Sequence, residues 1–194
     1  MSNNLWIIIF VAIAVCAAFV IALIVMRSKK KAAVIVEEES EAKPGEGKWI
    51  GKVIMSCDAG EVHAPVPGKV RHYSEIPDET FASGAIGQGV GIDPDSEDLY
   101  APVDGTITTL AESLQAIGIS GPGEMELLLH VGVDTIAMNG DGFTPYVKEG
   151  DVVTAGQPLM HFDRKKIAAA GYPDMVVVLM TNSSDMKNFE LRLD

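Results

Sequence analysis

GTITTLAESLQAIGISGPGEMELLLHV, residues 105–131, holds three short apolar runs at 105–110, 116–120 and 125–131. Each is shorter than the roughly ten residues a buried helix needs, and Ile, Thr, Leu and Val dominate them. Glu112-Ser113 and Gly121-Pro122-Gly123 separate the runs, and β-favouring runs between turn residues predict strands. Outward from this core the same punctuation continues, with candidate strands at 49–55, 60–64, 68–73, 90–92 and 98–101 on one side. Residues 158–162 and 175–180 follow on the other, and only 163–170 reads as helical. Many short strands at regular spacing predict an all-β, antiparallel sandwich or barrel-like domain over residues 48–194. Residues 64–70 (APVPGKV) return at 101–107 as APVDGTI, an internal duplicated motif. Two copies point to a duplicated sheet, whereas a solenoid needs three or more.

The first 47 residues of this 194-residue chain follow another logic. Residues 5–26, LWIIIFVAIAVCAAFVIALIVM, are apolar throughout. At about 1.5 Å per residue such a run reaches roughly 33 Å, enough for a bilayer core of about 30 Å. A cleaved secretory signal has basic residues before a shorter apolar core. Here Ser2-Asn3-Asn4 precede the run and Arg27, Lys29, Lys30 and Lys31 follow it. The expectation is a short tail at 1–4 and a retained transmembrane helix at 5–26. The rest of the chain then lies on the cytoplasmic side of the cell membrane. Residues 27–47 run from this basic collar through Glu37, Glu38, Glu39 and Glu41 to Lys43-Pro44-Gly45, the composition of a flexible linker.

Charge excludes some functions. The chain carries 15 basic and 27 acidic residues, and residues 48–194 account for all of the net charge of −12. A nucleic-acid surface needs clustered Lys and Arg, so none is expected; an acidic domain attracts basic protein partners instead. Cys16 and Cys57 are too few for a disulfide framework.

Chemistry concentrates at ELLLHVGVDT, residues 126–135. In a strand, Leu128 and His130 share one face while Leu127, Leu129 and Val131 share the other. A histidine at a strand end, followed by Gly132 and Asp134, can act as a nucleophile or metal ligand with one ring nitrogen fixed. It can equally be a core histidine bonded to a backbone carbonyl, and the residues alone leave both readings open. His63, His72 and His161 read as structural or surface residues.

IPDETFASGAIGQGVGIDP (76–94), APVDGTI (101–107), AIGI (116–119), LLLHVGVDTIAMNGDGFTPYVKEGDVV (127–153) and AGQPLMHFD (155–163) together resemble one family. It is the glucose-type enzyme IIA domain of the bacterial phosphoenolpyruvate-dependent sugar phosphotransferase system, whose His-x-Gly-x-Asp-Thr segment is the most specific part of the match. The resemblance implies a β-sandwich with a shallow depression and no cofactor. It implies that His130 accepts a phosphoryl group from the small phosphocarrier protein HPr and passes it to the IIB domain of a IIB/IIC sugar permease. The carbonyl of Gly132 would then orient the other ring nitrogen. Asp78 and Asp134 would form an acidic rim, and Phe81, Ile86, Val90, Leu128 and Ile136 an apolar partner-binding patch. Phosphoryl transfer asks for a neutral, positioned imidazole more than for covalent help.

Three departures stand out. The family's second histidine, beside the first, is Gln115 here, close to Ser113 in the same segment. A glutamine amide donates a hydrogen bond to phosphate but neither gains charge nor shuttles a proton. Two aromatic positions of the family read as Ala111 and Leu128. The expected anchor at 5–26 is the third departure, since the family's domains are soluble or fused to a permease. Together these point to a membrane-tethered phosphoacceptor, with onward transfer impaired and regulatory target proteins as partners. The alternative is a non-catalytic protein-binding module that kept the fold.

His130 and Asp134 are also half of a peptidase zinc site. The further His-x-His is missing, so zinc at His130 would be adventitious. Met186-Lys187-Asn188 lies in a polar tail and does not suit a biotin or lipoyl carrier. The glycines at 84, 87, 89 and 91 precede no helix, so they form no nucleotide cradle.

Overall fold

The computed structural model describes residues 48–193. The expected anchor and linker therefore lie outside the described residues. Among the described residues no helix is long and apolar enough to cross a membrane.

The described residues begin with β1 (Val53–Cys57), β2 (Gly60–His63) and β3 (Gly68–His72), a single-turn helix α1 (Glu79–Ala82), β4 (Gln88–Pro94) and β5 (Asp98–Tyr100). It continues through β6 (Gly105–Leu110), β7 (Ala116–Ser120), β8 (Glu126–Val131), β9 (Phe143–Pro145), β10 (Val152–Val153) and β11 (Pro158–Phe162). A second helix α2 (Arg164–Ala169), β12 (Val176–Met180) and β13 (Glu190–Leu191) complete it. Seven strands form the main sheet in the order β10-β6-β7-β8-β12-β4-β3, flanked by the three-stranded sheets β13-β1-β2 and β5-β11-β9. Every pairing among the described strands is antiparallel.

The expected all-β antiparallel class is the observed one, and the helix expected at 163–170 is α2, opened by the Asp163 carboxylate on the Lys166 N–H. The sequence reading missed β9, β10 and β13, which are two or three residues long and too short to show a period. It also missed α1.

The duplicated motif serves one purpose twice. Gly68 opens β3 and Gly105 opens β6. A Cβ on Gly68 would lie 2.1 Å from the carbonyl oxygen of Asp93, and one on Gly105 2.4 Å from that of Ser120. Each copy needs glycine because the neighbouring strand's backbone occupies the space.

The main sheet carries an apolar cluster on each face. Its inner face packs Val90, Ile92, Ile117, Leu129, Val131 and Val178 against residues of the two smaller sheets, including Ile54, Leu99 and Phe162. Its outer face carries a second cluster of Ile76, Val133, Met175, Val177 and Leu179, covered by Tyr73, Phe81, Ile86 and Leu128. β12 therefore reads as continuous VVVLM, buried at every position. Across the outer face, Arg71, Gly91, Val177, His130 and Ala116 stand side by side on five adjacent strands.

Candidate functional site

His130 ends the outer-face side of β8, where the sheet alternation points it away from the core and under the segment that carries α1. Its Nδ1 lies 2.8 Å from the Gly132 carbonyl oxygen. A carbonyl only accepts, so Nδ1 carries the hydrogen and Nε2 of the neutral ring keeps its lone pair. The phenyl ring of Phe81 packs against the imidazole with centroids 5.3 Å apart at an interplanar angle of 60°. Burial lowers the imidazole pKa, opposed by the Gly132 bond and the charges of Asp78 and Asp134. The net direction is downward, so the ring is neutral near pH 7.

The loop after β8 is built to hold that geometry. Gly132 has φ +77°, and a Cβ there would meet Thr135 Cγ2 at 2.3 Å. The Gly132 and Val133 N–H groups donate to the carbonyls of Met175 and Pro173 at 2.9 and 3.0 Å. The Thr135 hydroxyl, fully buried, donates to the Val131 carbonyl at 2.6 Å. Asp134 takes the left-handed conformation at φ 61° and is exposed at the rim. Thr135 and the 173–175 anchor were not singled out from sequence; a buried hydroxyl closing a loop leaves no pattern beyond the Asp-Thr pair.

Asp78 caps α1, its Oδ1 accepting the Phe81 N–H at 2.9 Å. This role too was missed, although Pro77-Asp78-Glu79 is a helix-start signal. Phe81, Ile86 and Leu128 lie half-buried around the second apolar cluster, and Ile136 is 62% exposed. Val90 is a correction to the expected docking patch. It is fully buried in the main core, because its register with Val178 and Leu129 turns it to the inner face.

Gln115 precedes Ala116, the cross-strand partner of His130. Its carbonyl accepts the Val131 N–H at 2.8 Å and its N–H donates to the Ser113 carbonyl at 2.9 Å. Leu114, at φ 61°, makes this turn tight. The Gln115 side chain is buried, and its Oε1 has no hydrogen-bond partner. An acceptor oxygen buried without a donor costs free energy, so this side chain is held there by the packing around it rather than by a polar bond to that atom. A groove of about 390 Å³ continues along the same sheet face, lined by residues including Thr109, Ala116, Gly118, Leu128 and Glu126. No group of three or more His, Cys, Asp or Glu side chains among the described residues could hold a metal ion.

These features define an antiparallel β-domain organised around one presented imidazole. The family "phosphoenolpyruvate-dependent sugar phosphotransferase system, EIIA 1" matches residues 60–186. The glucose-specific EIIA component of Halalkalibacterium halodurans is 38% identical over 129 residues, covering 66% of this chain and 75% of that protein. The beta-glucoside-specific EIIBCA component of Dickeya chrysanthemi is 44% identical over 127 residues, 66% of this chain and 20% of that protein. The chain thus spans about a fifth of the EIIBCA relatives it matches. The solved structure of glucose permease IIA from Mycoplasma capricolum superposes with a TM-score of 0.59 at 34% identity, covering 62% of this chain and 78% of that one. The chain belongs to the EIIA 1 family of the phosphoenolpyruvate-dependent sugar phosphotransferase system.

Proposed function

We propose that this protein is a phosphoryl carrier whose acceptor atom is Nε2 of His130. The observation that carries the reading is the Nδ1–H to Gly132 carbonyl bond, which leaves Nε2 as the basic nitrogen of a neutral, desolvated ring. The Nε2 lone pair attacks the phosphorus of phospho-HPr. The bond from phosphorus to the donor nitrogen breaks, and its electron pair returns to the donor ring. The His130 proton stays on Nδ1, and the Gly132 carbonyl stabilises the positive charge that develops on the ring. Asp78 and Asp134 at the rim attract a basic donor protein, while Phe81, Ile86, Leu128 and Ile136 supply the apolar contact.

Gln115 sets the direction of traffic in this reading. Its amide hydrogen-bonds the phosphoryl group but supplies no proton or charge, so His130 loads faster than it unloads onto a IIB domain. Residues 5–26 anchor the domain at the membrane with its site facing the cytoplasm. A tethered carrier that holds phosphate reports the phosphorylation state of the pathway to regulatory partners.

The test uses the full chain in detergent with labelled phosphoenolpyruvate, enzyme I and HPr, followed by a chase with a IIB domain. Wild type takes label, His130→Ala does not, and Gln115→His releases label to IIB at least tenfold faster than wild type. An unlabelled but folded wild type replaces this reading with a non-catalytic binding module. Equal release by wild type and Gln115→His removes the directional role of Gln115.

A further inference from the structure

Asp78 has two separable physical connections to His130. One is electrostatic: its charge is among those that act on the imidazole, together with that of Asp134. The other runs through the chain. The Asp78 carboxylate accepts the Phe81 N–H at 2.9 Å, and the same residue's carbonyl accepts the Ala82 N–H at 2.9 Å. These bonds close the single turn of α1, a helix of four residues that has no length of its own to stabilise it. Phe81, the third residue of that turn, is the side chain packed on the imidazole at 5.3 Å. An uncapped turn this short frays, and Phe81 leaves the ring with it.

We propose that Asp78 is a positioning residue for the phosphoacceptor, acting by capping α1 and so holding Phe81 against His130. The proposal rests on the phosphoacceptor reading and adds a role that charge alone does not supply. It makes the cap, rather than the negative charge, the property of Asp78 that sets the intrinsic reactivity of Nε2. Asparagine caps a helix about as well as aspartate, whereas alanine and glutamate do not. Asp78→Asn therefore keeps the cap and removes the charge, Asp78→Glu keeps the charge and weakens the cap, and Asp78→Ala loses both.

The experiment uses the full chain in detergent and a small donor, phosphoramidate, whose reaction needs no docking surface. In parallel, the ring-proton resonances of His130 report the ring current of Phe81, with Phe81→Leu as the reference for its loss. Asp78→Ala and Asp78→Glu should shift these resonances toward the Phe81→Leu positions. They should also slow phosphoramidate labelling by about fivefold, the ratio a lost cap imposes on the turn. Asp78→Asn should recover most of that rate. Its His130 pKa should nevertheless fall, because the charge is gone while Phe81 still covers the ring. If Asn is as slow as Ala, or if Ala leaves both resonances and rate unchanged, the positioning role is wrong. Should Asp78→Ala fail to fold, the comparison of Glu with Asn decides the matter alone. A wild type that takes no label from phosphoramidate would end the phosphoacceptor reading, while the resonances would still judge the contact.

Discussion

Burial withdraws charge from the His130 imidazole while Asp78, Asp134 and the Gly132 carbonyl push it back, and burial wins. The folded-state pKa therefore lies below the ordinary imidazole value of about 6.5. As pH falls through that value the unfolded chain binds the proton first, so this residue makes stability drop on the acid side and contributes fully above it. Urea midpoints measured across pH should show that acid-side loss in wild type and a reduced slope in His130→Asn. Phosphoramidate labelling should stay level from about pH 8 to 7 and decline only below the ordinary imidazole value. Gly132 is the second informative residue. Alanine there meets both a positive φ of 77° and Thr135 at 2.3 Å. Gly132→Ala should cost about 1–3 kcal/mol in urea unfolding and displace the carbonyl that fixes the His130 tautomer. Slowed chemical labelling would accompany the stability loss.

At the scale of elements, the outer face of the main sheet is shaped by β4, where glycine alternates with Val90 and Ile92. Gly91 makes room for the segment that brings α1 over the sheet: a Cβ there would lie 2.7 Å from Met175 Sδ and 3.1 Å from Ile76. At Gly89 the obstacle is backbone, the Val178 carbonyl at 1.9 Å. A methionine side chain can move aside and a paired strand cannot. Gly89→Ala should thus destabilise by roughly 3 kcal/mol and Gly91→Ala by roughly 1, compared by urea unfolding. Ile76, 4% exposed, is the hydrophobic pin of the covering segment. Ile76→Ala should cost about 2–4 kcal/mol, and Phe81 should loosen from His130 along with it. In sequence only 90–92 reads as a strand, because the glycines at 87 and 89 hide the start of β4, whose outer face carries no side chains at 89 and 91.

For the whole molecule, charge is the dominant long-range property: residues 48–194 hold 22 acidic and 10 basic side chains. If a basic donor protein is steered by that field, labelling through HPr should fall several-fold between about 0.05 and 0.5 M salt. Labelling by phosphoramidate should change little, and a parallel decline in both would argue against steering. Charge balance, the all-β class, the duplicated motif and the His130 segment were all legible in the chain itself. They depend on composition, on alternation along single strands and on turn residues, all of them local. Local pattern also placed Leu128 and His130 on one face and Leu129 on the other, as the sheet has them. Which face of β4 Val90 would take was not local: it depends on register with β12, and that register buries Val90 in the main core. The packing of Phe81 on His130, the carbonyls of residues 173–175 that anchor the Gly132 loop and the unpaired Gln115 Oε1 likewise belong to the folded molecule. Each joins segments distant in the chain or depends on what surrounds a side chain, and such contacts exist only once the sheet has brought those segments together.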